Sequence, residues 1–216
     1  MKRKTNRELY AAGAMLIAFV LWTVLVRLVD VGAIGPKGSY VGFATLNGIV
    51  HALTGVNWSL YVITDWLGLV PILVVLGFAI LGLLQWIKRK SLAKVDRSLL
   101  LLGGFYVIVV AVFMTFETLV INYRPMLIEG VLEASYPSST TMLVMCVMPT
   151  ALMQFYERIK KEALKRCVAV ILLAFTAFMI IGRLLSGVHW VTDIIGGALF
   201  STGLVMTYDW CIHKKS

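Results

Sequence analysis

The sequence predicts an all-α fold: a polytopic membrane helix bundle with six transmembrane helices and a short outer interfacial helix. Of its 216 residues, 60% are hydrophobic and 14% are charged, whereas soluble chains average about 45–50% and about 25%. The apolar residues form runs close to the roughly 20 residues that cross a bilayer as a helix. Strands of a membrane barrel would alternate polar and apolar residues instead. We expect one domain, residues 1–216.

Six apolar segments define the predicted spans: residues 10–34, 60–87, 99–121, 140–155, 168–181 and 190–208. The fourth and fifth are short, and small polar residues extend each of them at one end. This favours helices that open into a protein-lined site. In the first outer loop, residues 41–53 space their apolar side chains as an amphipathic helix in the membrane interface does. Such a helix would cover the bundle, or alternatively gate a substrate.

Lysine and arginine are concentrated in alternate loops. All but four of the twenty lie on one predicted side: Lys2, Arg3, Lys4, Arg7, Lys88, Arg89, Lys90, Lys94, Arg97, Arg158, Lys160, Lys161, Lys165, Arg166, Lys214 and Lys215. By the positive-inside rule, both termini are cytoplasmic in a multi-pass protein of the cell membrane. The net charge of +9 is therefore a topology signal that also attracts anionic lipid headgroups, and no nucleic-acid partner is expected.

Polar residues gather in three clusters that this topology places on the extracytoplasmic side, at residues 117–125, 136–141 and 182–193. Ionisable residues at membrane depth are costly and mark functional sites. Arg124 and Arg183 are planar donors suited to holding an oxyanion, with anchoring to lipid headgroups as the alternative. The serines and threonines after Pro137 open a helix whose free amides favour a phosphate. Plain helix capping is the alternative, and by themselves these residues favour it.

His189 and Asp193 are four residues apart, so on a helix they share a face. A carboxylate bonded to one imidazole nitrogen fixes the tautomer and leaves the other nitrogen free as a base or nucleophile. A packed, satisfied pair is the alternative. With two arginines and an anion-binding helix start beside it, the pair favours phosphoryl transfer through a phosphohistidine.

These clusters resemble the motifs of the type 2 phosphatidic acid phosphatase superfamily, integral membrane lipid phosphatases related to bacterial acid phosphatases and vanadium haloperoxidases. The superfamily carries Lys, six residues, Arg-Pro; then Pro-Ser-Gly-His; then Ser-Arg, five residues, His, three residues, Asp. The matching positions here are Arg124 and Pro125, Pro137 and Ser138, and Arg183, His189 and Asp193.

The resemblance implies a nucleophilic histidine, an acidic residue that orients it, and side chains that bind the phosphate. These are His189, Asp193 and, for the phosphate, Arg124, Arg183 and Ser138, with Ser139 and Thr140 beside it at the helix start. No metal or other cofactor is expected, since the mechanism needs none and no metal-ligand cluster occurs in the sequence.

Four positions depart from the superfamily pattern. Glu117 replaces the phosphate-binding lysine, Thr140 replaces the histidine that protonates the leaving group, Ser139 replaces the glycine and Gly182 replaces a serine. A carboxylate at the lysine position repels phosphate unless it is protonated or paired with an arginine. Loss of a general acid costs about 10²–10⁴-fold with a poor leaving group.

The function predicted is a membrane lipid phosphatase or phosphotransferase acting on a phospholipid or a prenyl (di)phosphate at the outer leaflet. A lipid diphosphate, with its better leaving group, would need less protonation. Otherwise a substitute acid would be required, for which the outer-side candidates are Glu117, Glu129, Glu133 and His51. The alternatives are a catalytically degenerate member that binds or translocates a lipid phosphate, and an unrelated transporter. The oligomeric state stays open.

Overall fold

The computed structural model describes residues 6–214, and in this range it contains eight α-helices and no strand. The helices are α1 (Asn6–Leu28), α2 (Ala44–Thr54), α3 (Trp58–Leu67), α4 (Leu69–Arg89), α5 (Arg97–Thr118), α6 (Ser139–Arg158), α7 (Glu162–Leu185) and α8 (Val191–His213). The predicted all-α class is confirmed. Four basic residues used to predict the orientation lie outside the described residues: Lys2, Arg3, Lys4 and Lys215.

The second predicted span consists of two helices, α3 and α4, which meet at Gly68. The Gly68 N–H donates to the carbonyls of Thr64 and Asp65, and a Cβ at this position would lie 2.9 Å from the Asp65 oxygen. Pro71 follows in the first turn of α4, where a missing N–H leaves no hydrogen bond unmade. The short helix α3 is thus set apart from α4, and it contributes to the site described below.

Five segments of residues 6–214 are long and apolar enough to span a membrane: Asn6–Leu28, Trp58–Arg89, Arg97–Thr118, Glu162–Leu185 and Val191–His213. They correspond to five of the six predicted spans. The fourth predicted span forms α6, which is absent from this set because polar residues such as Thr141, Thr150 and Gln154 lower its mean hydropathy. Those groups bond inside the protein, where Gln154 donates to the Tyr208 hydroxyl at 2.6 Å.

Helix α8 lies at the centre of the bundle. More than half of its spanning window is buried (56%), against 11–22% for the other four candidate spans. Glycines permit this packing: a Cβ at Gly196 would lie 2.5 Å from the ring of Tyr136, and one at Gly203 would lie 2.9 Å from Leu16. The Tyr136 hydroxyl also bonds to Thr23 Oγ1 of α1 at 2.7 Å. The loop between α5 and α6 is thereby held on the bundle.

The predicted interfacial helix is α2, which packs on the start of α8. Asn47 donates to the Thr192 hydroxyl at 3.0 Å and to the Gly42 carbonyl at 2.7 Å. The opposite face of α2 carries exposed apolar side chains: Leu46, Ile49 and Leu53. The helix therefore has one face bonded to the protein and one apolar face turned outward.

The two ends of the bundle differ in charge. At one end Arg89 and Arg158 both contact Asp96, at 3.0 and 3.5 Å, and Arg97 donates to the Lys214 carbonyl. The other end holds the loops 119–138 and 186–190, between α5 and α6 and between α7 and α8. The basic loops and the three polar clusters consequently lie at opposite ends.

Candidate active site

Three of the residues singled out from the sequence meet at His189. His189 lies in the short loop before α8, Arg183 lies in the last turn of α7, and Arg124 lies in the loop between α5 and α6. His189 Nε2 is 3.5 Å from Arg124 Nη1 and 3.4 Å from Arg183 Nη2. Two guanidinium groups, brought from separate parts of the chain, thus face one imidazole nitrogen.

The other imidazole nitrogen faces Ser135. His189 Nδ1 lies 3.1 Å from the Ser135 carbonyl oxygen and 3.1 Å from its hydroxyl oxygen. A carbonyl oxygen only accepts hydrogen bonds, so Nδ1 carries the proton. The neutral imidazole therefore has its lone pair on Nε2, directed at the two arginines.

Asp193 is buried and does not hydrogen-bond His189 directly. The shortest separation between His189 Nδ1 and Asp193 is 3.7 Å. The carboxylate accepts from the Ser135 hydroxyl, from the Trp190 backbone N–H at 2.9 Å and from Asn122 Nδ2 at 3.3 Å. The expected direct bond is absent because the carboxylate turns back to cap the N-terminus of its own helix, α8.

The loop before α6 folds back on itself and so brings its polar residues together. Ser135 N–H donates to the Asn122 carbonyl at 2.9 Å, and Arg124 N–H donates to the Glu133 carbonyl at 3.0 Å. These bonds pair backbone N–H and carbonyl groups within the loop between α5 and α6. They place Asn122, Arg124 and Ser135 on the same side as His189.

Helix α3 packs against Arg183, whose side chain is 1% exposed. The guanidinium lies 5.1 Å from the centre of the Tyr61 ring, and its Nη1 lies 3.4 Å from Thr64 Oγ1 and 3.7 Å from the Asp65 carboxylate. Its buried Nε has no hydrogen-bond partner within residues 6–214. Residues of α3 therefore orient the Arg183 guanidinium, and its Nε–H is left available to donate a hydrogen bond. Sequence reasoning missed α3, although Thr64 and Asp65 are polar interruptions of an apolar span.

Arg124 is also largely buried, and its Nε lies 3.0 Å from the Glu133 carboxylate. The acidic partner of this arginine is thus Glu133 and not Glu117. Glu129, another candidate acid, occupies a tight turn with φ of 50°. His51 lies on α2 with its ring 5.4 Å from that of Trp190, and burial lowers its pKa.

Residues of the second cluster begin α6. Ser138 is buried at the N-cap, where its hydroxyl accepts from the Thr141 N–H at 3.5 Å and its N–H donates to the Asp193 carbonyl at 3.1 Å. Ser138 therefore has the capping role that the sequence offered as the alternative. Since its hydroxyl oxygen acts there as an acceptor, the hydroxyl proton remains free to donate. No side-chain hydrogen bond of Ser139 or Thr140 is found within residues 6–214.

A small cavity adjoins the nucleophile candidate. Its lining includes His189, Ser135, Ser139 and Glu117, with apolar walls from α5 and α6. Glu117 is exposed in the last turn of α5 and forms no ion pair within the described part of the chain. A carboxyl group thus faces the same space as His189 from the position where the superfamily has lysine.

The surroundings of His189 set its ionisation. Burial lowers the pKa of His189 well below its ordinary value of 6.5, and the guanidiniums of Arg124 and Arg183 lower it further. A lowered pKa means that protonation sets in only at more acidic pH, so His189 is neutral at pH 6.5 and the lone pair on Nε2 stays available.

We expect Arg124→Gln to raise the pKa of His189, because one of the two cations that oppose its protonation is removed. Side-chain ¹⁵N NMR of a His51→Gln/His213→Gln background, which leaves His189 as the single histidine, measures the titration. Arg97→Gln, at the other end of the bundle, is the control and should leave the pKa unchanged. Titration of His189 at or above pH 6.5 before any arginine is changed would contradict this electrostatic account.

Gly182 stands where the superfamily has serine, and α3 explains the change. A Cβ at Gly182 would lie 2.7 Å from Thr64 Cγ2. Thr64 is stiff, because it is β-branched and its hydroxyl donates to the Leu60 and Tyr61 carbonyls. The close approach of α3 to α7 thus requires glycine at position 182. In place of a serine hydroxyl at that position, the Thr64 hydroxyl lies beside Arg183.

We therefore expect Gly182→Ala to destabilise the protein by about 1–3 kcal/mol through overpacking. Thr64→Ser in the same chain should restore most of the loss, because it removes the clashing methyl and keeps the hydroxyl. The midpoint of thermal unfolding in detergent measures both. Gly77→Ala, in α4, is the control, since nothing lies within 4 Å of its Cβ position. Equal effects at Gly77 and Gly182 would refute the steric explanation.

Comparison with known proteins agrees with the fold and the motifs. A family model described as the PAP2 superfamily matches residues 118–216. The crystal structure of the first transmembrane PAP2 type phosphatidylglycerolphosphate phosphatase from Bacillus subtilis is similar, with a TM-score of 0.59, 22% identity and coverage of 94% of both chains. At this identity the likeness shows a shared fold. No curated protein matches the chain. The matched residues 118–216 contain Arg124, Ser138, Arg183, His189 and Asp193, and the predicted resemblance to the PAP2 superfamily is confirmed over this part of the chain.

Proposed function

We propose that this protein removes phosphate from a phosphorylated or diphosphorylated lipid at the outer leaflet, through a phosphohistidine on His189. Its superfamily supports lipid phosphatase activity. One observation carries the finer proposal: His189 Nε2 is unprotonated and lies within 3.5 Å of two guanidinium groups. A lone pair flanked by two bidentate phosphate donors is the arrangement that a nucleophile for phosphorus requires.

The first step forms the bond between Nε2 and phosphorus and breaks the bond between phosphorus and the lipid oxygen, which leaves with a proton from an acid or from water. The guanidiniums of Arg124 and Arg183 hold the charge on the other phosphate oxygens. A water molecule then attacks phosphorus, releases inorganic phosphate and returns the electron pair to Nε2. Transfer to an alcohol in place of water would make the enzyme a phosphotransferase.

The leaving group decides which substrates suit this site. Thr140 stands at the acid position and cannot serve as a general acid comparable to histidine. Glu133 is already paired with Arg124, whose Nε lies 3.0 Å from its carboxylate. Glu117 shares a cavity with His189 and is the stronger candidate for a substitute acid. A lipid diphosphate needs this acid least, whereas a monoester such as the phosphatidylglycerolphosphate named for the Bacillus subtilis enzyme needs it most.

In the proposed orientation the protein spans the cell membrane, with both termini on the cytoplasmic side and the site on the extracytoplasmic side. The basic ends of α4, α5 and α6 support it, since they lie at the end of the bundle opposite His189. The exposed face of α2, with Leu46, Ile49 and Leu53, is suited to lie among lipid headgroups beside the site.

Phosphate release by purified protein tests the proposal, with phosphatidic acid, phosphatidylglycerolphosphate and a prenyl diphosphate as substrates. Terminally ³²P-labelled substrate, quenched rapidly in alkali to preserve phosphohistidine, should leave label on a peptide containing His189. Release of phosphate without label on that peptide would overturn the phosphohistidine mechanism.

A non-hydrolytic member that binds or translocates a lipid phosphate is the second candidate. The replacement of the acid by Thr140 and of the lysine by Glu117 favours it. It predicts no phosphate release from any of these substrates, together with lipid phosphate binding that Arg183→Ala abolishes. A pure binder would have no need of a histidine whose Nδ1 is held by a carbonyl.

A further inference from the structure

We propose that Ser135 is a positioning residue of this site, whose hydroxyl transmits the charge of Asp193 to His189. The inference rests on the proposed phosphohistidine reaction and adds to it a residue outside the three motifs. The observation behind it is that Asp193 and His189 do not hydrogen-bond directly, whereas Ser135 contacts both.

The donors and acceptors at Ser135 follow from chemistry. A carboxylate only accepts, so the Ser135 O–H donates to Asp193 Oδ2. The serine has a single hydroxyl proton, so its oxygen acts as acceptor towards His189 Nδ1–H, 3.1 Å away. The three side chains form one chain of hydrogen bonds with a fixed direction, from imidazole to hydroxyl to carboxylate. Each of them is almost completely buried, which strengthens the coupling in a site of low dielectric.

The backbone of Ser135 holds the hydroxyl in place. Its carbonyl accepts from His189 Nδ1, and its N–H donates to the Asn122 carbonyl at 2.9 Å. Asn122 in turn donates to Asp193 Oδ1 and accepts from the Gly42 N–H at 3.2 Å. Ser135 is thus fixed to both groups that it connects, and its side chain needs no rearrangement to join them.

This connection acts when the phosphoryl group is on Nε2. Formation of the new bond makes the imidazole ring cationic, and Nδ1–H then becomes a stronger donor. The Ser135 oxygen, polarised by Asp193, stabilises that charge at the transition state. Ser135 does not reach the phosphate in this scheme, because Arg124 and Arg183 lie on the opposite side of the ring. We therefore expect its loss to lower the rate of phosphorylation and to leave substrate binding nearly unchanged.

The test compares Ser135→Ala with Ser201→Ala, another buried serine, whose hydroxyl donates to the Met142 carbonyl in the core. Rapid-quench measurement of phosphohistidine formation should show about a 10–100-fold loss for Ser135→Ala, with KM within a few-fold, and no loss for Ser201→Ala. Ser135→Thr, which keeps the hydroxyl, should retain more of the rate than the alanine variant. Unchanged phosphorylation in folded Ser135→Ala protein would overturn the role.

A double-mutant cycle with Asp193→Asn separates transmission from simple packing. If the hydroxyl carries the effect of the carboxylate, Ser135→Ala should cost little more in the Asp193→Asn protein. A full, additive loss there would overturn the proposal. The ¹H resonance of His189 Nδ1–H gives a readout without turnover: it should move upfield in Ser135→Ala, and an unmoved resonance would refute the contact. If the unmodified protein forms no phosphohistidine, the proposed function fails, while this resonance still tests the hydrogen-bond chain.

Discussion

Replacement of His189 by alanine should reduce phosphate release by about 10⁵-fold or more, as expected when the nucleophile of a covalent mechanism is removed. Nε2 is the nitrogen that faces both arginines, and no other imidazole lies there among the described residues. The substitution leaves Arg124 and Arg183 in place, so lipid phosphate should still bind. Steady-state turnover and equilibrium binding, measured on the same preparation, distinguish these two effects.

The chain provides a matched control for this experiment. Asp209 and His213 repeat the four-residue spacing at the other end of α8, and their side chains lie 2.9 Å apart. His213→Ala removes a histidine that is paired with an aspartate on α8 but lies at the end of the helix away from Arg124 and Arg183. This variant should keep full activity. Equal loss in both variants would indicate a general structural effect, and activity retained by His189→Ala would eliminate the phosphohistidine mechanism.

The parts of the site that lie close together along the chain were predictable. Arg183, His189 and Asp193 span the end of α7, a short loop and the start of α8, so their spacing already limits how far apart they lie. Arg124 and Ser138 required the helix topology as well, which the apolar runs and the basic loops supplied. The break at Gly68 was not predicted, because α3 and α4 are both apolar and form a continuous hydrophobic segment.

Contacts between distant segments could not be predicted from one sequence. Thr64 reaches Arg183 across 119 positions, and Ser135 reaches His189 across 54. Neither residue belongs to a motif, and a serine or threonine hydroxyl is too common to mark a site. The spacing of His189 and Asp193 predicted that they share a helix face, but α8 begins between them, and the carboxylate accepts from the Trp190 N–H at the helix start.

Glu117 illustrates how the structure sharpens a departure from the superfamily pattern. From the sequence alone, this carboxylate either repels phosphate or pairs with an arginine. The pairing with Arg124 is instead made by Glu133, at 3.0 Å, while Glu117 lines the cavity beside His189. A carboxyl group therefore lines the cavity beside His189, and in the proposed reaction a proton on Glu117 would reduce its repulsion of phosphate and could be donated to the leaving oxygen.

Replacement of Arg183 by lysine should lower kcat by about 10²–10³-fold, although the formal charge is kept. The guanidinium is held from two sides, by the Tyr61 ring at 5.1 Å and the Thr64 hydroxyl at 3.4 Å, while its Nη2 faces His189 Nε2 at 3.4 Å. A lysine ammonium is a point charge without a planar fork, so it cannot contact Thr64 and a phosphate oxygen in this geometry at once. Its flexible stem would also leave the Tyr61 ring without the guanidinium that packs against it.

Arg27→Lys is the control for this substitution, because Arg27 is an exposed arginine at the site end of α1. It should change neither kcat nor the midpoint of thermal unfolding. If the planar fork matters because it holds phosphate oxygens in the transition state, Arg183→Lys should lower kcat more than it raises KM, since positioning contributes most there. An Arg183→Lys enzyme with normal kcat would show that a point charge suffices, and the bidentate role of Arg183 would have to be abandoned.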